Sequence, residues 1–117
     1  MLVDDNVDAV QSMAALLEIE GHEVQVAHDG STALAQLGNA PIDAFLLDIG
    51  LPGMDGFELA RQLRERPQSR SALLIAVTGY CQAADRARSV SAGFDQHLVK
   101  PVDFAVLRTA LAPLSAP

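Results

Sequence analysis

Several polar residues stand directly after short apolar runs. Asp4-Asp5 follows Met1-Leu2-Val3, Asp48 follows the run 44–47, Thr78 the run 73–77, and Lys100-Pro101 the run His97-Leu98-Val99. Gathered at one place, three carboxylates would repel one another unless a cation joined them. A hard divalent ion with oxygen ligands meets that need. Mg²⁺ suits one or two carboxylates together with phosphate and water, with Mn²⁺ as the alternative ion. Lys100 adds a positive point charge for an anionic ligand, and Thr78 a hydroxyl donor. A carboxylate nucleophile with a divalent ion, an ammonium and a hydroxyl is equipment for phosphoryl transfer, which needs mostly positioning and charge neutralisation. The segment Gly50-Leu51-Pro52-Gly53-Met54-Asp55-Gly56 supplies glycine and proline where backbone turns tightly near a ligand.

Those residues converge only if the elements before them lie side by side. The apolar runs, with a further one at 24–27, are short and in the middle of the chain nearly continuous, as in strands covered on both faces. Helical periods separate them. Val10, Met13, Ala14 and Leu17 share one face, as do Ala83, Ala87, Val90 and Phe94, and Phe104, Leu107, Leu111 and Leu114. Leu34 with Leu37, and Leu59 with Leu63, mark two shorter helices. Asp29, Asp55 and Asp103 stand where N-caps belong; Gly21, Gly38-Asn39, Pro67 and Gly93 mark helix ends. This fivefold strand–helix alternation implies an α/β fold: a parallel sheet wound on both faces, whose ligands bind beyond the carboxyl ends of the strands.

The 117 residues, half of them hydrophobic, suit one domain spanning 1–117, with residues 113–117 expected to run into a linker. Only Met1-Leu2-Val3 precedes the acidic pair, so a clipped first strand and an excised fragment are expected. Eight basic against fifteen acidic residues argue against a nucleic-acid backbone binder, and the single cysteine excludes a disulfide framework. No apolar run approaches the roughly 20 residues that span a bilayer. A cytoplasmic location without membrane contact is expected.

At these residues the chain resembles the receiver, or response-regulator, domain of two-component signalling. The resemblance rests on Leu2-Val3-Asp4-Asp5-Asn6, on Leu47-Asp48-Ile49-Gly50 with the loop through Gly56, on Thr78-Gly79 and on Lys100-Pro101. It implies a flavodoxin-like (βα)5 fold with strand order 2-1-3-4-5, and a signalling switch rather than an enzyme. It implies that Asp48 accepts a phosphoryl group from a histidine kinase or a histidine phosphotransfer domain. Asp5 and Asp48 would hold Mg²⁺, with Asp4 as a further ligand or acting through water, and with the Gly50 carbonyl. Thr78 and Lys100 would contact the phosphoryl group, the bond before Pro101 would be cis, and His97 would act as a switch where receivers commonly carry Tyr or Phe. The wording from Ala92 to Asp103 is similar to receivers fused to hybrid sensor kinases, and a homodimer through the last two helices and last strand is a further expectation.

Other signals are weaker. His22, His28 and His97 share no metal-ligand spacing, and Cys81 has no sequence partner for a nucleophilic pair. Arg61, Arg64, Arg86 and Arg88 fit solvated helix faces or a docking surface. A flavodoxin-like FMN carrier would want a hydroxyl-rich phosphate loop where Asp4-Asp5-Asn6 stands. An aspartate-based phosphatase would want a second acid where Gly50 stands. A degenerate, docking-only receiver would lack groups that are all present here.

Overall fold

A computed structural model of the chain describes residues 1–38, 42–51, 53–79, 83–100 and 102–112, with backbone alone at 83–86. Five strands, β1 (Leu2–Val3), β2 (Val26–Ala27), β3 (Ala44–Asp48), β4 (Leu73–Thr78) and β5 (Gln96–Val99), alternate with five helices. The helices are α1 (Val7–Ile19), α2 (Gly30–Ala35), α3 (Gly56–Glu65), α4 (Ala83–Ala92) and α5 (Phe104–Ala110). The strands pair in parallel in the order β2-β1-β3-β4-β5, as the resemblance implies. None of the described helices is long and apolar enough to cross a membrane.

The two-residue period of a strand sorts the core into two halves. Val3, Phe45, Leu47, Leu74 and Ala76 face one side, where they meet Ala33, Leu59, Leu63 and Phe94. Leu2, Leu46, Ile75 and Val77 face the other, against Val10, Ala14 and Leu17 of α1 and Leu107 and Leu111 at α5. Residues next to each other in sequence thus belong to opposite layers, which is why the central strands read as unbroken apolar runs.

The expected caps are in place. Asp29, Asp55 and Asp103 each accept a backbone N–H at the start of α2, α3 and α5. The Thr32 hydrogen bond holds the Asp29 carboxyl below its usual pKa. Asn6 caps α1 by accepting from Ala9 N. Gly21 and Gly93 adopt positive φ just past α1 and α4.

Three expectations need correction. Strand β2 is only Val26–Ala27, because Val24 and Gln25 precede the paired segment, although the Gln25 carbonyl still accepts from Leu2 N. Helix α2 stops at Ala35, so Leu37 and Gly38 lie beyond it. In α4 the apolar stripe is displaced: Val90 is 74% exposed and Ala87 is exposed, while Ser89 and Ala92 are buried. Phe94 does reach the core, but from beyond the left-handed Gly93, where helical spacing no longer applies. Cys81, Asn39 and residues 113–117 lie outside the described residues, as does the side chain of Arg86.

Arg64 also departs from expectation. Rather than a solvated arginine, it is a clasp at the amino-terminal end of the sheet. Its guanidinium donates to the carbonyls of Gly93, Arg70 and Ala72 and to the Asp95 carboxylate, tying α3 to the segments before β4 and β5. The same Asp95 oxygen accepts from Leu74 N. Arg61, by contrast, makes one exposed pair with Glu58. Arg64→Ala strands several acceptors at once and is expected to cost about 3 kcal/mol, against under about 0.5 kcal/mol for Arg61→Ala. Urea denaturation of both variants checks this, and equal losses would refute the clasp.

Candidate functional site

Three strand ends and one turn build the site. Asp48 closes β3 and is 7% exposed, the only buried carboxylate among the described residues. By alternation it shares the α1–α5 side of the sheet with Leu46. Asp4, one residue past β1, falls on that side with Leu2, and Lys100, one past β5, with Leu98. Lys100 Nζ lies 3.1 Å from Asp48 Oδ2 and 3.3 Å from Asp4 Oδ2. Asp48 Oδ1 accepts from Gly50 N at 3.0 Å. Asp4, Asp5 and Asp48 each bring a carboxylate oxygen within 4.8 Å of the others.

The turn after Asp48 is pressed against α3. Gly56 N donates to the Ile49 carbonyl, and a Cβ on Gly56 would stand 2.7 Å from both the Asp48 carbonyl oxygen and the Ile49 Cα. Only glycine permits that approach, so the start of α3 braces the backbone that carries Asp48. On the other side, Asp4 Oδ1 accepts from Asn6 N, and its carbonyl lies 3.1 Å from His28 Nδ1.

Thr78 ends β4, and its carbonyl accepts from Lys100 N at 2.7 Å, which fixes where the lysine leaves β5. His97 lies on the opposite side of β5 from Lys100, with Nδ1 3.1 Å from the Oγ of buried Ser89 in α4. The structure therefore brings Asp4, Asp5, Asp48, Gly50 and Lys100 together and seats His97 apart from them. Pro101 lies outside the described residues. The Gly50 N–H, the His28 contact and Ser89 were not foreseen. An Asp-x-Gly turn signals the first; nothing in the local sequence signals the other two.

Burial works to lower the pKa of the Lys100 ammonium, but the hydrogen bond and charge of Asp48, with those of Asp4, outweigh it and hold it above the usual 10.5. A group raised in the folded state contributes its stability in full below its unfolded value and loses it as pH rises through the folded one. Lys100→Met is therefore expected to be less stable than the parent from about pH 8 to about pH 10, with the gap closing above that range as the parent lysine deprotonates. Urea melts from about pH 8 to about pH 12 test this; a gap undiminished at the alkaline end would contradict the pairing.

Comparison with known proteins shows the family and the fold. The family model described as response regulator receiver domain matches residues 1–112. The response regulator PleD of Caulobacter vibrioides is 37% identical over 108 residues, covering 92% of this chain and 24% of PleD, so the chain spans about a quarter of that relative. Among solved structures, a CheY-like receiver domain protein from Methanospirillum hungatei superposes with a TM-score of 0.87 at 32% identity, over 97% of this chain and 90% of that one. The receiver domain of the sensor histidine kinase PA1611 from Pseudomonas aeruginosa, with a magnesium ion coordinated in its active site cleft, gives 0.85 at 30%, over 98% and 95%. With its fold, strand order and nearly full-length match in agreement, the chain belongs to the response regulator receiver domain family.

Proposed function

We propose that this domain is a phosphoacceptor, taking a phosphoryl group from a phosphohistidine of a kinase or a histidine phosphotransfer domain onto Asp48. The observation that carries the reading is the buried Asp48 carboxylate, clamped between Lys100 Nζ and Gly50 N beside two further acids. A carboxylate oxygen of Asp48 attacks phosphorus, the phosphorus–nitrogen bond breaks, and the imidazole keeps the electron pair and takes a proton. The product is an acyl phosphate, later hydrolysed by water. Lys100, already within reach of Asp48, pairs with the incoming phosphoryl oxygens. The Thr78 hydroxyl donates to one of them in the active conformer. His97 passes the change towards α4.

The donor set fits Mg²⁺: hard carboxylate oxygens from Asp4, Asp5 and Asp48 close to one another, with the backbone carbonyl of Gly50 as a further ligand. Bound there, Mg²⁺ would offset the carboxylate charge and that of the phosphoryl oxygens. The likeness to a receiver that carries magnesium in its cleft supports this choice. The match to a receiver from a sensor histidine kinase likewise supports a hybrid kinase as the parent chain.

Two outcomes follow. Acetyl phosphate with Mg²⁺ is expected to add one phosphoryl group, seen by intact mass, and Asp48→Asn to abolish it while retaining its fold by circular dichroism; undiminished labelling of that variant would refute the assignment. Mg²⁺ at a hundredfold excess over its dissociation constant is expected to stabilise the domain by about 2.7 kcal/mol. Asp5→Ala is expected to lose most of that gain, read from melting with and without the ion. An unchanged gain would place the ion elsewhere.

A further inference from the structure

The two sides of the sheet are not packed alike. Phe45, Leu47, Leu74 and Ala76 are all 0% exposed; on the α1–α5 side Ile75 is too, but Leu46 and Val77 keep 8% and 7%. That residual exposure opens into a cavity of about 480 Å³ beneath α1, walled by Leu2, Val10, Met13, Leu46, Val77 and Val102. Its size lies within the roughly 300–1,000 Å³ of small-molecule sites. The walls are aliphatic, and no described aromatic ring fills the space.

The mouth of the cavity has a definite charge. Asp4, Asp48 and Lys100 line it, and Asp5 stands within the same carboxylate cluster, so three acids face one ammonium. Without a divalent ion, a carboxylate or phosphate head would meet net negative charge there, and a neutral head would leave acceptor positions of the acids unused. A cationic head with an apolar body satisfies both parts of the site.

We infer that the cavity binds a small organic amine, with its apolar body beneath α1 and its ammonium against Asp4 and Asp48. The inference goes beyond phosphotransfer and does not depend on it. No covalent step is involved.

The test is a titration of nitrogen-15-labelled protein, in buffer free of divalent ions, with 2-phenylethylamine. Its alcohol analogue, 2-phenylethanol, and the anion 3-phenylpropanoate serve as comparators. Saturable shifts are expected at the amides of Val3, Val10, Met13 and Val77, with a dissociation constant of about 1 mM. The alcohol and the carboxylate are expected to bind at least about tenfold more weakly, since each lacks the charge-assisted hydrogen bond. Val10→Phe fills the cavity and is expected to abolish the amine shifts. Met13→Phe, from a half-exposed wall, does the same should Val10→Phe not fold. Absence of saturable shifts at those amides, equal affinity for the alcohol, or undiminished amine binding in a folded cavity-filling variant would each overturn the inference.

Discussion

Asp48 ends a strand whose preceding residues are covered on both faces, and a charge in that position must find a counter-charge without leaving the sheet edge. The lysine that supplies it starts two strands away, beyond β4, and at about 4.8 Å per strand spacing the gap is roughly 10 Å. Only a long, flexible cation closes such a distance, and it does so only if β5 ends level with β3. The hydrogen bond from Lys100 N to the Thr78 carbonyl sets that level. With the lysine so placed, its ammonium reaches Asp4 as well, across the sheet from β1. The strand order is therefore a condition of the electrostatics: with β1 and β4 flanking β3, one ammonium serves carboxylates from two strands.

The rest of the molecule divides its labour between the two ends of that sheet. At the amino-terminal end, Arg64 collects three carbonyls from two segments, the one before β4 and the one before β5. At the carboxyl end, polar groups are left close together and partly open. Repulsion among the three acids is a standing cost that a divalent ion, or another cation, relieves.

Much of this was legible in the sequence because strand ends are legible. An apolar run that stops at Asp48 or Lys100 names both the element and the position at its exit, and parallel winding then places all the exits on one edge. Caps were equally plain, since Asp29, Asp55 and Asp103 precede helical periods and a capping carboxylate needs only local geometry. What escaped depended on partners far along the chain. Arg64 finds its acceptors at Gly93 and Asp95, roughly 30 residues on. The apolar period in α4 favoured Ala87 and Val90, yet a buried position is Ser89, whose hydroxyl lies against His97. Helix α4 was misread for the same reason: when one buried position is a hydroxyl with a partner, hydrophobic periodicity points to the wrong face.

That misreading bears on how a signal leaves the site. Among the side chains described in α4, those of residues 87–92, the buried ones are Ser89 and Ala92, a hydroxyl and a methyl. Among its described ties are the Ser89–His97 contact and the Arg88 guanidinium 4.1 Å from the Phe57 ring centroid. An exposed cation–π contact is worth about 0.5–1 kcal/mol, and a single neutral hydrogen bond about 1 kcal/mol net. Helix α3, by contrast, buries Phe57, Leu59, Ala60 and Leu63 and carries the arginine clasp. A ligand shifts an equilibrium only by its differential contacts with the two states. On the proposed reading, a phosphoryl group on Asp48 draws on Thr78 and Lys100, whose backbones are joined at the end of β4 and β5. His97, three residues before Lys100 on the same strand, is where that strand touches α4. On that reading the path from the site to α4 runs along β5, through His97 and Ser89, rather than through the core.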